Sequence, residues 1–306
     1  AEELGAALAE FANDPEAFAD ALAAGLRSLA DPAYQAGQQR VAPGLGPVFG
    51  VRWPLLAAIS RGFRHATRKE PPTPLLFIAD RLFHEKHLEP RWFAFGLLER
   101  TVLVDPERSW QLMRKAAREA GDWVTVDTLA HAYAKGIAAE PYRWAELEQL
   151  VFSPSRWERR LVGSTIATMT HGGTRRRLGP EVVEHGLDLL GQLIGDAEPD
   201  VQKALSWAYR SLAQVDLAAT TDALRAETHR ATQTTDGHRA WVIRDSLAKL
   251  DPATADDLHE RLKGIRRRPG APPTSSASVV VAGFGPLPEP RGLSEPPLAG
   301  RERSRA

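Results

Sequence analysis

The chain has 306 residues, 43% hydrophobic and 25% charged, enough to bury one sizeable core or two small ones and too mixed for a fibrous or membrane-spanning protein. Its 39 basic and 39 acidic residues cancel, so indiscriminate nucleic-acid binding is disfavoured and any DNA contact has to come from local patches. The absence of cysteine removes disulfides, thiol nucleophiles, Cys-ligated zinc and Cys-held iron–sulfur clusters, and neither a metal nor another cofactor is expected.

The opening residues, AEELGAALAEF, are acidic and helix-forming, unlike a basic segment leading into an apolar run. Neither a secretory signal nor a transit peptide is read there, and a cytoplasmic, nucleoid-associated protein with no membrane partner is expected. From about residue 2 to about residue 265 amphipathic segments of roughly 10–18 residues follow one another with hardly any alternating apolar runs, which predicts an all-α protein. Boundaries fall at Asn13-Asp14-Pro15, Asp31-Pro32, Pro71-Pro72, Asp105-Pro106, Ser153-Pro154, Gly179-Pro180, Glu198-Pro199 and Asp251-Pro252. Each offers a cap with Pro at or near a first helical turn. Helix pairs return at about 40-residue intervals, the range of HEAT-type units, and such a stack would form an α-solenoid with a curved, concave face.

Two motif-like stretches carry no chemistry. Val41-Ala42-Pro43-Gly44-Leu45-Gly46-Pro47 has no strand before it and prolines that remove backbone donors, so it is read as a loop rather than a phosphate cradle. His84-Glu85-Lys86-His87 spaces its histidines at i and i+3, not at the i and i+4 of the zinc-protease helix.

Three later helices place aromatic and charged residues off their apolar stripes. In the helix beginning near Asp122, the stripe is Val126, Leu129, Tyr133 and Ile137, while Trp123, Asp127 and His131 run along its flank. A carboxylate one turn from an indole attracts positive charge; the other reading makes Asp127 a surface charge or the partner of an Arg on the next helix. From about Ser155 to Thr170, Leu161, Val162, Thr165 and Met169 form the buried face and Arg160 points nearly opposite, sharing an exposed face with Arg156. Two arginines one turn apart repel unless an anion is near, which fits a phosphate or acidic partner, although solvated arginines are also compatible. From Asp200 to Leu212 the stripe is Val201, Leu205, Ala208 and Leu212, with Trp207 on the opposite side between Lys203 and Arg210. Trp207 either meets sugar or base while the cations hold phosphates, or packs on a neighbouring helix.

After Arg268 the composition changes to Pro, Gly, Ser and Arg. Residues 1–265 are therefore read as the helical repeat domain and 266–306 as a disordered tail, whose Ser278-Val279-Val280-Val281 patch could add to a partner's sheet edge.

The three helices occur in the order and approximate spacing of the HEAT-like-repeat DNA alkylation repair glycosylases of the AlkD type, and their residues resemble that family's motifs. Asp122-Trp123-Val124-Thr125-Val126-Asp127 resembles the segment in which a Trp is followed four residues later by an essential Asp. Trp157-Glu158-Arg159-Arg160 resembles a Trp-x-x-Arg helix start, and the run from Val201 to Arg210 is similar to a Lys-Ala-hydrophobic-small-Trp signature closed by an Arg. Asp122 and Val124 depart from the aromatic and acidic residues frequent at those positions. The resemblance implies that Trp123 and Trp207 flank a lesion's deoxyribose, that Asp127 is the catalytic carboxylate, and that Arg160 holds the DNA backbone. Lys203 and Arg210 would be supporting phosphate contacts.

What it implies as a function is a monofunctional glycosylase acting as a monomer on double-stranded DNA containing N3- or N7-alkylated purines, without base flipping. A noncatalytic HEAT-like DNA-structure-binding protein and a protein-binding scaffold are the rival readings. Retention of Asp127 with both tryptophans argues against the first rival, and salt-sensitive binding would argue against the second. Only seven of the basic residues are Lys and Ala is abundant, as in a GC-rich bacterial genome; this composition suggests self-resistance to a DNA-alkylating natural product.

Overall fold

Aspartates followed by proline or a small residue set the helix starts. Asp14, Asp31, Asp105 and Asp251 each accept a hydrogen bond from a backbone N–H of the first turn that follows, and each precedes a Pro at the first helical position. Asp122, Asp216 and Asp236 cap in the same way without the proline. In the computed structural model, residues 1–42, 44–170 and 179–283 are described. They form α1 (Glu2–Ala7), α2 (Pro15–Ser28), α3 (Pro32–Val41), α4 (Trp53–Ala66), α5 (Pro72–Phe83) and α6 (Leu88–Thr101). There follow α7 (Pro106–Glu119), α8 (Trp123–Ala139), α9 (Trp144–Val151), α10 (Arg156–Met169) and α11 (Pro180–Leu193). The last are α12 (Pro199–Leu212), α13 (Leu217–Thr234), α14 (Gly237–Ser246), α15 (Pro252–Arg261) and α16 (Ser276–Gly283). Among the described residues there is no strand, and the fold they form is all-helical.

The expected boundaries match closely. Every Pro-marked start except Ser153-Pro154 places its proline at the first helical residue; there the helix begins later, at Arg156, behind Ser155. Gly44 to Arg52 carry neither helix nor strand, as read for the described part of the loop after α3. Backbone donors of that stretch find a side-chain acceptor. The fully buried Glu89 carboxylate accepts from the N–H groups of Phe49, Gly50 and Val51 at 3.0, 2.8 and 3.3 Å.

The helices pack in two rows. In the first, α4 packs on α6, α6 on α8, α8 on α10, α10 on α12 and α12 on α14; in the second, α2 packs on α5 and α5 on α7, and further on α9 packs on α11, α11 on α13 and α13 on α15. One continuous apolar core, including Phe63, Trp110, Tyr133, Ile166 and Leu205, runs between them.

The closest step in the first row is at α10 and α12. A Cβ on Gly163 would lie 2.9 Å from the backbone carbon of Ala204 and 3.1 Å from its Cβ. Backbone cannot yield as a side-chain tip does, so Gly163→Val is expected to force the two helices apart. The expected cost is about 1–3 kcal/mol of overpacking, read as a lower denaturant midpoint at an unchanged m-value. An unchanged midpoint would show that the helices accommodate the methyl groups.

Part of the expected disordered tail is ordered. Thr274 donates its N–H to the Gly195 carbonyl at 2.8 Å, Ser275 and Ala277 are buried, and α16 packs on α11. The Ser278–Val281 patch, read as a possible sheet edge, lies in α16. Composition misleads here because a few small residues, tucked against an existing helix that supplies a carbonyl acceptor, need little apolar surface of their own to stay in place. Residues 284–306 of that tail lie outside the described residues.

Candidate active site

The start of α8 is built by Asp122, which accepts from the Thr125 N–H at 2.8 Å and the Thr125 hydroxyl at 2.7 Å. The same hydroxyl oxygen accepts from the Trp92 indole N–H of α6 at 3.1 Å. This buried chain fixes the first turn and with it the direction of Trp123 and Asp127, one turn apart. Asp122, a departure from the resembled motif, serves as the N-cap.

Asp127 points at α10. Arg160 donates Nε to its Oδ1 at 3.0 Å and Nη2 to its Oδ2 at 2.7 Å, and the Ser164 hydroxyl donates to Oδ1 at 2.6 Å. A third Arg160 nitrogen, Nη1, donates to the Asp200 carbonyl in the first turn of α12 at 2.6 Å. One guanidinium thus ties three successive helices of the first row together. Its carbon lies 5.9 Å from the centre of the Trp123 ring. The Arg160 side chain is 6% exposed and that of Asp127 is 21%.

This corrects the expected facing of Arg160. It does not share an exposed face with Arg156: it is buried, whereas Arg156 is exposed, lies over the Trp157 ring at 4.7 Å and pairs with Glu198 at 3.4 Å and Asp200 at 4.0 Å. A helix wheel puts Arg160 away from its own apolar stripe but carries no information about flanking helices. Here α8 and α12 cover that side and supply a carboxylate and a carbonyl, the partners a buried guanidinium requires. Of the two readings of Asp127, the ion pair with an Arg of the next helix is present.

A carboxylate offers about four acceptor directions, and these bonds use two on Oδ1 and one on Oδ2. Among the described residues nothing takes the second Oδ2 direction, on a side chain that retains some exposure beside an indole. Such a group is oriented and anionic, and can take a hydrogen bond from a water or face a positive charge.

On α12, Lys203 is exposed and Trp207 is partly buried, packed against the core. Arg210 donates to the Asp245 carbonyl at 2.6 Å and to its Oδ2 at 2.8 Å, and the Ser206 hydroxyl donates to the same Oδ2 at 2.5 Å. Arg210 is therefore an ion-paired cation that links α12 to α14. Ser164 and Asp245 were not singled out from sequence. Ser164 had a signal, one turn after Arg160 on the same flank; Asp245 had none, since its contacts depend on how α14 docks.

Beyond Asp127, Thr128, His131 and Lys135 of α8 line a groove of about 550 Å³ with residues of α4 and α6. Arg61, Arg64, Arg100 and Lys135 give it a cationic rim, and Trp53, half exposed, stands on its wall. Among the described residues no group of three His, Asp or Glu side chains could hold a metal ion, and no helix is long and apolar enough to cross a membrane.

An all-helical protein with an oriented carboxylate beside a tryptophan and cations on neighbouring helices is of a kind that can act on a nucleic acid. A family model described as DNA alkylation repair enzyme matches residues 22–250. The chain belongs to the DNA alkylation repair enzyme family, and its role is in DNA repair. Comparison with curated proteins gives no match.

Proposed function

We propose that the protein is a monofunctional DNA glycosylase that hydrolyses the N-glycosidic bond of cationic N3- or N7-alkylated purines in duplex DNA. The observation that carries this reading is the Asp127 carboxylate, held by Arg160 and Ser164 with one acceptor direction open beside Trp123.

Alkylation at N3 or N7 leaves the purine positively charged, so the base departs without being protonated and no general acid is needed. As the bond stretches, positive charge moves to the sugar, giving an oxocarbenium-like transition state. Asp127 stabilises that charge and orients the attacking water, and its fixed geometry avoids reorganisation during the reaction. Trp123 and Trp207 offer electron-rich ring faces to the sugar cation. Lys203, with Arg210 and Arg156 in support, holds phosphates. Because Arg160 is committed to Asp127 and Asp200, its part is to position the carboxylate.

The two rows of helices are read as a HEAT-like α-solenoid whose first row faces the duplex in a concave surface, and a single chain provides that surface, so the protein acts as a monomer. A site that reaches the lesion through the backbone, without flipping the base into a pocket, tolerates bulky adducts as well as methyl groups. Its use in a bacterial cell is then either general repair by base excision or self-resistance to an alkylating natural product.

The test is a comparison of leaving groups. Duplex DNA carrying N7-methylguanine or N3-methyladenine is expected to lose free base, while DNA carrying neutral hypoxanthine is not, because the proposed mechanism supplies no proton to the leaving base. Equal release of hypoxanthine would overturn the mechanism; salt-sensitive duplex binding with no release of any base would favour the noncatalytic DNA-binding protein. In the same assay Trp207→Ala is expected to lower the release rate about 30-fold, the equivalent of ~2 kcal/mol for a desolvated cation–π contact. A rate within twofold of wild type would leave Trp207 with packing alone.

A further inference from the structure

Beyond residue 250, where the family match ends, the chain returns to the row of helices that carries the site. After α15 it runs through Arg266, Arg267 and Arg268, all exposed. The path of this segment is fixed at several points. A Cβ on Gly237, the first residue of α14, would lie 2.2 Å from the Arg266 carbonyl oxygen and 2.7 Å from the Arg267 nitrogen, so only a glycine lets the backbone pass so close. Arg267 donates Nη1 to the Gln202 side-chain oxygen of α12 at 2.6 Å, and its guanidinium lies 4.6 Å from the Trp241 ring centre on α14. Farther along, His238 Nε2 lies 3.2 Å from the Ala271 carbonyl oxygen, and Thr274 is held by Gly195.

Positive charge accumulates here. Among the described residues no carboxylate pairs with Arg266, Arg267 or Arg268. Arg244 of α14 turns its guanidinium to the carbonyls of Leu262 and Ile265 at 3.2 and 2.9 Å rather than to an acid. Burial lowers its pKa, and repulsion from Arg266 and Arg267 adds to that. A run of arginines is ordinarily a solvated surface; a backbone held against α14, with the Arg267 side chain laid over an indole, keeps three cations close together at an electrostatic cost that an anionic ligand would offset.

The segment reaches the first row at α12 and α14, through Gln202 and Trp241. Gln202 precedes the exposed Lys203, and Trp241 lies one turn before Asp245, which holds Ser206 and Arg210. We propose that Arg266–Arg268 form a phosphodiester-binding strap that extends the DNA footprint past α12; this rests on the reading that the ligand is duplex DNA. With the lesion between Trp123 of α8 and Trp207 of α12, α14 lies two helix spacings of about 8–10 Å from the centre at α10, so the strap meets the backbone roughly 16–20 Å from the lesion, about five to six base pairs away at ~3.4 Å each.

The test is the salt dependence of duplex binding for the full chain and for an Arg266→Gln, Arg268→Gln variant, which keeps the Arg267 anchor and so the strap's path. Each phosphate contact contributes about 0.9 to the slope of log K against log salt, so the variant's slope is expected to fall by roughly 2. Its melting temperature and its base release at saturating DNA should match wild type. On a duplex cut about three base pairs from the lesion on the strap's side the two proteins should bind alike. Equal slopes on the long duplex, or an undiminished difference on the short one, would overturn the strap alone. A wild-type chain without salt-dependent duplex binding would overturn the strap and the DNA reading together.

Discussion

Asp127→Asn is expected to slow release of an alkylated purine about 100-fold, a loss of ~3 kcal/mol of transition-state stabilisation, while duplex affinity changes little. The side chain touches the reaction through its charge, and charge at the sugar is present only as the glycosidic bond breaks. Binding of the ground state therefore has little to lose, and the loss appears in the chemical step. The substitution also has a structural cost. Both carboxylate oxygens accept, from Arg160 Nε and Ser164 on one side and from Arg160 Nη2 on the other, so an amide in either orientation turns a donor toward a donor. A modest fall in melting temperature should accompany the kinetic effect, and single-turnover rates on folded protein separate the two.

The second large effect is expected at Arg160, and it discriminates between two roles. If Arg160 were a phosphate contact, as the motif resemblance implied, Arg160→Ala would weaken DNA binding and lower the salt slope by about 0.9. The geometry leads to a different expectation. Removing the guanidinium leaves Ser164 as the donor to Asp127 among the described residues and takes the side-chain donor from the Asp200 carbonyl. Breaking one side of a fully buried pair costs about 3–5 kcal/mol, and the partial exposure of Asp127 reduces this to about 2–3. Arg160→Ala should therefore melt several degrees lower, at about 2–4 °C per kcal/mol for a domain of this size, and lose base release, with its salt slope unchanged. Arg160→Lys keeps the charge but not the fork, and should recover part of the stability and less of the rate, because a single ammonium cannot orient both oxygens. A reduced salt slope with wild-type stability would restore the phosphate-contact role.

What could be read before any coordinates follows from where the information resides. The starts of α2, α3, α5, α7, α11, α12 and α15 are written locally, in a cap residue and a proline, and they fall at the expected positions. Trp123 and Asp127 were legible as neighbours because one turn of helix suffices to bring them together. The partner of Asp127 was legible in kind, an Arg of the next helix, but not in identity, since the wheel of α10 describes one helix and the pairing with Arg160 depends on the packing of α8, α10 and α12. Ser164 carried a signal in its place one turn after Arg160, but among the buried small residues of α10 a hydroxyl also reads as packing. The ordered run from Arg266 to Gly283 was missed because its composition signals disorder, while its order comes from contacts with Gly237, Gly195 and Gln202 far earlier in the chain.

The most direct test of the central claim is single-turnover release of free N7-methylguanine from duplex DNA, with enzyme in excess, by the wild-type protein and by Asp127→Asn. The account predicts free base and an abasic strand from the wild type, a rate about 100-fold lower for the variant, and similar DNA affinity for both. Release at the same rate from both proteins would contradict it and remove Asp127 from the centre of the chemistry.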